Sequence, residues 1–157
     1  MSFYIGIDPG LSGAYCVMCA DGTLRVGDLP LVEYAVGKKK RHRLDARTLA
    51  HVLDGMLEVS VVIEDVHSMP GQGVSSTFGF GRATGVIEGV VATLNYPYRF
   101  VTPQRWKKAM DIPKDKDAAR LAVIQRYPEA AEYLTLKKHH NRAEAVALAD
   151  WLRKELA

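Results

Sequence analysis

The first thirty residues leave room for three strands and for no crossover between them. An apolar run over residues 3–7 stops at Asp8-Pro9-Gly10. A second, over residues 14–20, is followed by Asp21-Gly22, a dipeptide favoured in tight hairpin turns, and a third spans residues 24–29. A parallel return needs a connection of about a dozen residues or more, so these strands can pair only as an antiparallel meander. The remaining chain must build on that sheet. Asp45 is placed to cap a helix with Leu49, Val52, Leu53, Met56 and Leu57 on one face. Residues 59–63 form a β-branched run of the kind found in central strands covered on both faces, and the run ends in Glu64-Asp65. Residues 99–101 read as a fifth strand. Thr102-Pro103 opens a short helix, and further helices are expected near residues 115–127 and 141–156. The order implies an α/β fold with a five-stranded mixed sheet, three antiparallel strands and then two parallel ones, in one domain covering residues 1–157.

Three segments carry less regular signals. Residues 30–43 read as a loop, and residues 68–76, with Pro70-Gly71-Gln72-Gly73, as a flexible one. Residues 77–94 look helical but carry Gly81, Gly85 and Gly89 four apart. Each helical glycine costs roughly 1 kcal/mol, so a ridge of them calls for close packing, either on the sheet or against another chain.

Twenty-one basic and eighteen acidic side chains give a net charge of only +3, but the placement is uneven. Lys38, Lys39, Lys40, Arg41 and Arg43 fall within six residues without an acid, and residues 99–120 hold seven basic and three acidic residues. A face for a polyanion and a merely solvated surface both fit that distribution. Cys16 and Cys19 have no second pair to complete a structural zinc site and are expected as free thiols. No apolar run reaches the ~18 residues of a membrane span, so no membrane contact is expected and a soluble, cytoplasmic protein is.

Asp8 and Glu64 each follow a predicted strand, and in an open sheet such strand ends border the crevice where ligands bind. Neighbouring carboxylates repel, and Mg²⁺ is the usual compensation because it prefers carboxylate oxygens. On the last helix His140 and Glu144 lie four apart on one face, with His139 and Asp150 less well placed. Two ions ~3.5–4 Å apart in such a cluster would suit phosphodiester hydrolysis.

Residues 4–13, Tyr-Ile-Gly-Ile-Asp-Pro-Gly-Leu-Ser-Gly, closely resemble the opening of RuvC-type Holliday junction resolvases, which have the ribonuclease H-like fold. Val62-Ile63-Glu64 resembles their second acidic motif, residues 78–85 the glycine-rich helix, residues 101–108 the Pro-containing segment and Arg142-Ala143-Glu144-Ala145 the final acidic helix. Residues 69–76 resemble the phage and prophage branch. The family commonly places two acids, or a histidine and an acid, three residues apart on that helix. Here Asn141 stands three before Glu144, and His140 is the better ligand.

The resemblance implies a structure-selective endodeoxyribonuclease that resolves four-way or branched DNA by paired nicking, working as a homodimer with two Mg²⁺ per site, Mn²⁺ substituting. It implies metal ligands Asp8, Glu64, His140 and Glu144, with Lys107 near the scissile group. It further implies DNA contacts from Lys38, Lys39, Lys40, Arg41, Arg43, Arg82, Lys108, Lys114 and Lys116, and from His67 and Met69 in the loop that would enter the junction centre, with Phe78 as a further candidate. Two other readings stand beside it. One is an actin-like ATPase or sugar kinase using residues 6–13 as a phosphate loop, against which the single-domain length argues. The other is a branched-DNA binder without catalysis.

Overall fold

A computed structural model describes residues 1–157. The chain runs β1 (Phe3–Asp8), β2 (Ala14–Cys19), β3 (Leu24–Asp28), β4 (Leu31–Val36), β5 (Lys39–Leu44), α1 (Ala46–Leu53), β6 (Val59–Glu64), α2 (Val74–Thr93), β7 (Tyr98–Val101), α3 (Pro103–Ala109), α4 (Lys116–Arg126) and α5 (His140–Glu155), with two 3₁₀ turns between α4 and α5. Five strands form one mixed sheet in the order β3-β2-β1-β6-β7. The meander β1-β2-β3 is antiparallel, as its short connections require, and β6 and β7 are parallel to β1.

Strand alternation sorts the core into two sides. Ile5 and Ile7 of β1 with Val59, Val61 and Ile63 of β6 face α1 and α2, where they meet Leu49, Leu53, Ala83, Ile87 and Val91. Each such side chain contributes about 1.5–3 kcal/mol on burial. Cys16, Met18 and Val62 face the other way, toward Trp106 of α3, Val123 of α4 and Leu148 and Leu152 of α5. Gly6 sits on this second side. A Cβ there would lie 2.5 Å from both Ala145 O and Ala149 N, so α5 lies almost on the backbone of β1. The alanines of α5, among them Ala145 and Ala149, permit the same approach from the helix side.

Four expectations need correction. Residues 30–43 are not a loop: β4 and β5 form an antiparallel hairpin outside the main sheet. Its two-residue turn is Gly37-Lys38, and Gly37 takes φ 61°, the requirement of a turn with glycine first. Helix α1 does have Asp45 as its cap, accepting from Thr48 N, but it stops at Leu53. Gly55 then takes φ 81°, and Leu57 is 81% exposed rather than on a buried face. Helix α2 begins at Val74, inside the segment expected to be flexible. The glycine ridge does not meet the sheet: Ala83, Ile87, Val90 and Val91 supply the buried stripe, and Gly81, Gly85 and Gly89 lie on the opposite side of α2 with nothing within 4 Å of an added Cβ.

Both cysteines are free, Cys16 buried and Cys19 half-buried, and burial pushes the Cys16 thiol far above its ordinary pKa. No helix is long and apolar enough to cross a membrane.

Candidate metal centre

Asp8 and Glu64 are the last residues of β1 and β6. The strands are parallel neighbours in a register that pairs Ile7 with Ile63, so the next residue on each lies side by side with the other. Parity does the rest. With Ile7 and Ile63 facing α1 and α2, Asp8 and Glu64 face α5. Because α5 lies so close over Gly6, Glu144 in its second turn reaches the same spot. One oxygen from each of Asp8, Glu64 and Glu144 lies within 4.8 Å of the others. Asp8 and Glu64 are buried, and the Glu144 side chain is only 13% exposed.

Helix α3 delivers two further groups. Trp106, completely buried, donates its indole N–H to Glu64 Oε2 at 2.6 Å. Lys107, the next residue, places Nζ 2.8 Å from Glu144 Oε1 and 5.5 Å from the Trp106 ring. With all three acids ionised, Lys107 neutralises one of three negative charges and leaves two.

The titration of the cluster reflects that excess. Burial, and then the charges of Glu144 and Glu64, hold the Asp8 carboxyl well above the usual carboxylate range, against the opposing pull of Lys107 and Lys116. Burial and Glu144 likewise raise Glu64, partly offset by the hydrogen bond from Trp106. Partial burial pulls Lys107 down, but its bond to Glu144 and the charges of Glu144, Glu64 and Asp8 outweigh this and leave its ammonium firmer than usual. Three hard oxygen donors converging with a net charge of −2 suit a divalent cation of the Mg²⁺ type.

The other expected residues separate into those near the cluster and those remote from it. His140 starts α5, one turn before Glu144, but the close-set trio does not include it; its ring borders a shallow cavity with Ser12, Leu31 and Asn141. Asn141 donates Nδ2–H to Ser12 O at 2.6 Å, tying α5 to the β1–β2 loop. His139 is buried and its Nδ1 accepts from Leu136 N, a structural histidine. Asp150 is also buried and lies in its own network with Tyr127, Arg153 and Lys154. Lys116, the exposed first residue of α4, is close enough for its charge to act on Asp8, whereas Lys108 and Lys114 are exposed without a specific partner.

His67 and Met69 project from the loop between β6 and α2, with His67 3.6 Å from Asp65 and Met69 70% exposed. Phe78 on α2 is 71% exposed and therefore not part of the core. Lys38 sits at the hairpin tip, and Lys39, Lys40, Arg41 and Arg43 lie along β5; Arg82 of α2 stands across from the hairpin. Sequence reasoning missed Trp106 as a site residue. Its signal was weak: a tryptophan beside Lys107 in a short Pro-initiated helix.

No protein-family model matches this chain, and no curated protein matches it in sequence. Its fold does match solved structures. A structure of Thermus thermophilus RuvC in complex with a Holliday junction substrate superposes with a TM-score of 0.61 at 15% identity, covering 99% of this chain and 96% of that one. Another Thermus thermophilus RuvC structure gives a TM-score of 0.51 at 17% identity, covering 98% of this chain and 96% of that one. The chain therefore has the RuvC form of the ribonuclease H-like fold.

Proposed function

We propose that this chain is a metal-dependent endodeoxyribonuclease that nicks four-way or related branched DNA as a homodimer. The observation that carries this reading is the buried trio Asp8, Glu64 and Glu144, with oxygens within 4.8 Å, at the strand ends of a fold shared with a resolvase. Their charge suits Mg²⁺, with Mn²⁺ as the substitute, and His140 supplies a further ligand for a second ion when its ring turns toward Glu144. What two such ions supply when bound is a more acidic water and neutralised charge at the leaving oxygen.

The protein's own groups divide the remaining work. Trp106 fixes one Glu64 oxygen and thereby aims the carboxylate. Lys107 is anchored by Glu144 and is the one cation inside the acidic cluster, so it meets a phosphate drawn into the site and stabilises charge growing on it. Lys116 borders the same entrance, while Lys108, Lys114 and the hairpin cations take further phosphates of the substrate. His67 and Met69 extend toward the branch point.

In this reading the second protomer packs against α2. Gly81, Gly85 and Gly89 have no intramolecular neighbour to justify their cost, and a close-packed partner backbone would provide one. The test is cleavage of a labelled four-way junction and of a linear duplex of equal length, each with and without Mg²⁺. Nicks on the junction alone, and only with metal, are expected; equal cutting of the duplex, or no cutting of either, overturns the reading.

A further inference from the structure

The β4–β5 hairpin has two chemically different faces. Cross-strand partners share a face, so Val32, Tyr34 and Val36 stand with Arg43, Arg41 and Lys39, while Leu31, Glu33 and Ala35 stand with Leu44, His42 and Lys40. The only acid in the hairpin is on the second face, where Glu33 lies 3.4 Å from Lys40 and 3.6 Å from His42. The first face therefore carries three cations and no acid. It borders α2 across a groove of about 410 Å³, lined on the helix side by Phe78, Gly79 and Arg82. Asp45, a carboxylate at the edge of the groove, is already committed to capping α1.

The groove also has aromatic surfaces. Arg43 holds its guanidinium 5.2 Å from the centroid of the Tyr34 ring, and Phe78 is largely exposed. From Tyr34 and Arg41 the groove continues as a second cleft to Leu11 and Ser12 in the β1–β2 loop, a few residues beyond Asp8. It thus leads from the hairpin to the β1–β2 loop.

Resting on the nuclease reading above, we propose that this groove binds an unpaired DNA strand, which makes the substrate a branched DNA with exposed single-stranded nucleotides at the branch. Arginines alone would serve any phosphate backbone. The half-buried Tyr34 ring and the exposed Phe78 ring beside them favour a strand whose bases are free, because a duplex hides the base faces in its stack whereas an unpaired base stacks on an aromatic side chain. Arg41, Arg43 and Arg82 then meet the phosphates, and Tyr34 and Phe78 the bases.

The test uses the full-length protein in EDTA, with fluorescence anisotropy of a labelled twenty-nucleotide oligothymidylate and of a blunt duplex of the same length. Tyr34→Ala should weaken oligothymidylate binding at least fivefold and change duplex binding less than twofold, and Tyr34→Phe should restore the loss. Arg41→Ala with Arg43→Ala should reduce the salt slope on the single strand by about 1.4, at ~0.7 for each phosphate contact. Equal losses on both ligands would show a duplex-arm site, and no loss on either would show a solvated hairpin; both overturn the proposal. Junction nicking in Mg²⁺, measured in parallel, separates the levels: nicking by a protein whose oligothymidylate binding ignores Tyr34 sinks this inference alone, whereas absence of nicking by the wild type sinks the nuclease reading beneath it.

Discussion

The two sides of the sheet treat glycine in opposite ways. On the α5 side Gly6 is there because no Cβ fits beneath the helix, and the resulting contact draws Glu144 onto the ends of β1 and β6. On the α2 side Gly81, Gly85 and Gly89 face open space, with nothing within 4 Å of an added Cβ. The first glycine serves a site made within one chain; the others have no such reason within it. A residue type alone does not tell these roles apart, and the neighbour of a hypothetical Cβ does.

The comparison breaks most visibly at the carboxylates. Asp8→Asn should lower junction nicking by at least a thousandfold, about 4 kcal/mol in the barrier, while junction binding is unchanged or stronger because a repulsive charge is gone. Glu64→Gln and Glu144→Gln should behave alike. Wild-type nicking by any of them in Mg²⁺ would remove that residue from the centre.

Gly6→Ala tests the close approach directly. The added methyl meets backbone rather than a yielding side chain, so stability should fall by roughly 1–3 kcal/mol, read as a lower Tm, and nicking should fall with it as Glu144 is displaced. A protein with unchanged Tm would mean that α5 is not seated as described. His140→Ala should cost at least tenfold in nicking, about 1.4 kcal/mol, without lowering Tm. Full activity would leave the acidic trio as the whole ligand set.

The contrasting glycines give a smaller and opposite effect. Gly85→Ala should raise helix stability by up to ~1 kcal/mol in the isolated chain. Gly85→Leu should leave the fold intact by circular dichroism yet weaken dimerisation in sedimentation and yield singly nicked junctions. A wild type that stays monomeric at micromolar concentration, even with junction DNA, would end the dimer proposal.

The smallest expected effect is electrostatic. Asp8 and Glu64 bind protons more tightly folded than unfolded, so their contribution to stability is greatest in acid and is lost as pH rises from the ordinary carboxylate range through their raised folded values. Metal-free wild type should therefore fall behind Asp8→Asn in Tm as pH increases, by a few degrees, and Mg²⁺ should close the gap. A pH-independent difference would show that Asp8 carries no excess charge.

Much of the sheet was legible because strand parity and loop length are local properties: residues 3–29 admit one arrangement, and Asp8, Glu64 and Glu144 were each visible at the end of an element. The hairpin was not, since Lys38 at its turn and the four cations of β5 read as a solvated loop and masked the alternation of Val32, Tyr34 and Val36 across from them. Helical periodicity put His140 on the face of Glu144, but the neighbourhood of a side chain depends on where the helix starts and what its first turn touches. Trp106 was hidden for a related reason. Its partner Glu64 is forty-two residues away, and no pattern in either segment announces the bond.

The pairing of Ile7 with Ile63 has one more consequence. A β-strand has only two facings, so the acidic cluster is a matter of counting. Deleting a residue between Gly6 and Asp8 would turn the carboxylate through the sheet to the side of α1 and α2, and a slip of β6 by one step would seat Asp65 in the place of Glu64 only by turning Val59, Val61 and Ile63 away from α1 and α2. Insertions at the β4–β5 turn leave this arithmetic untouched, because the hairpin is outside the five-stranded ladder. Length is therefore fixed in β1 and β6 and free at the hairpin turn, which on the proposed reading lets contacts to DNA be rebuilt there without disturbing the acidic cluster.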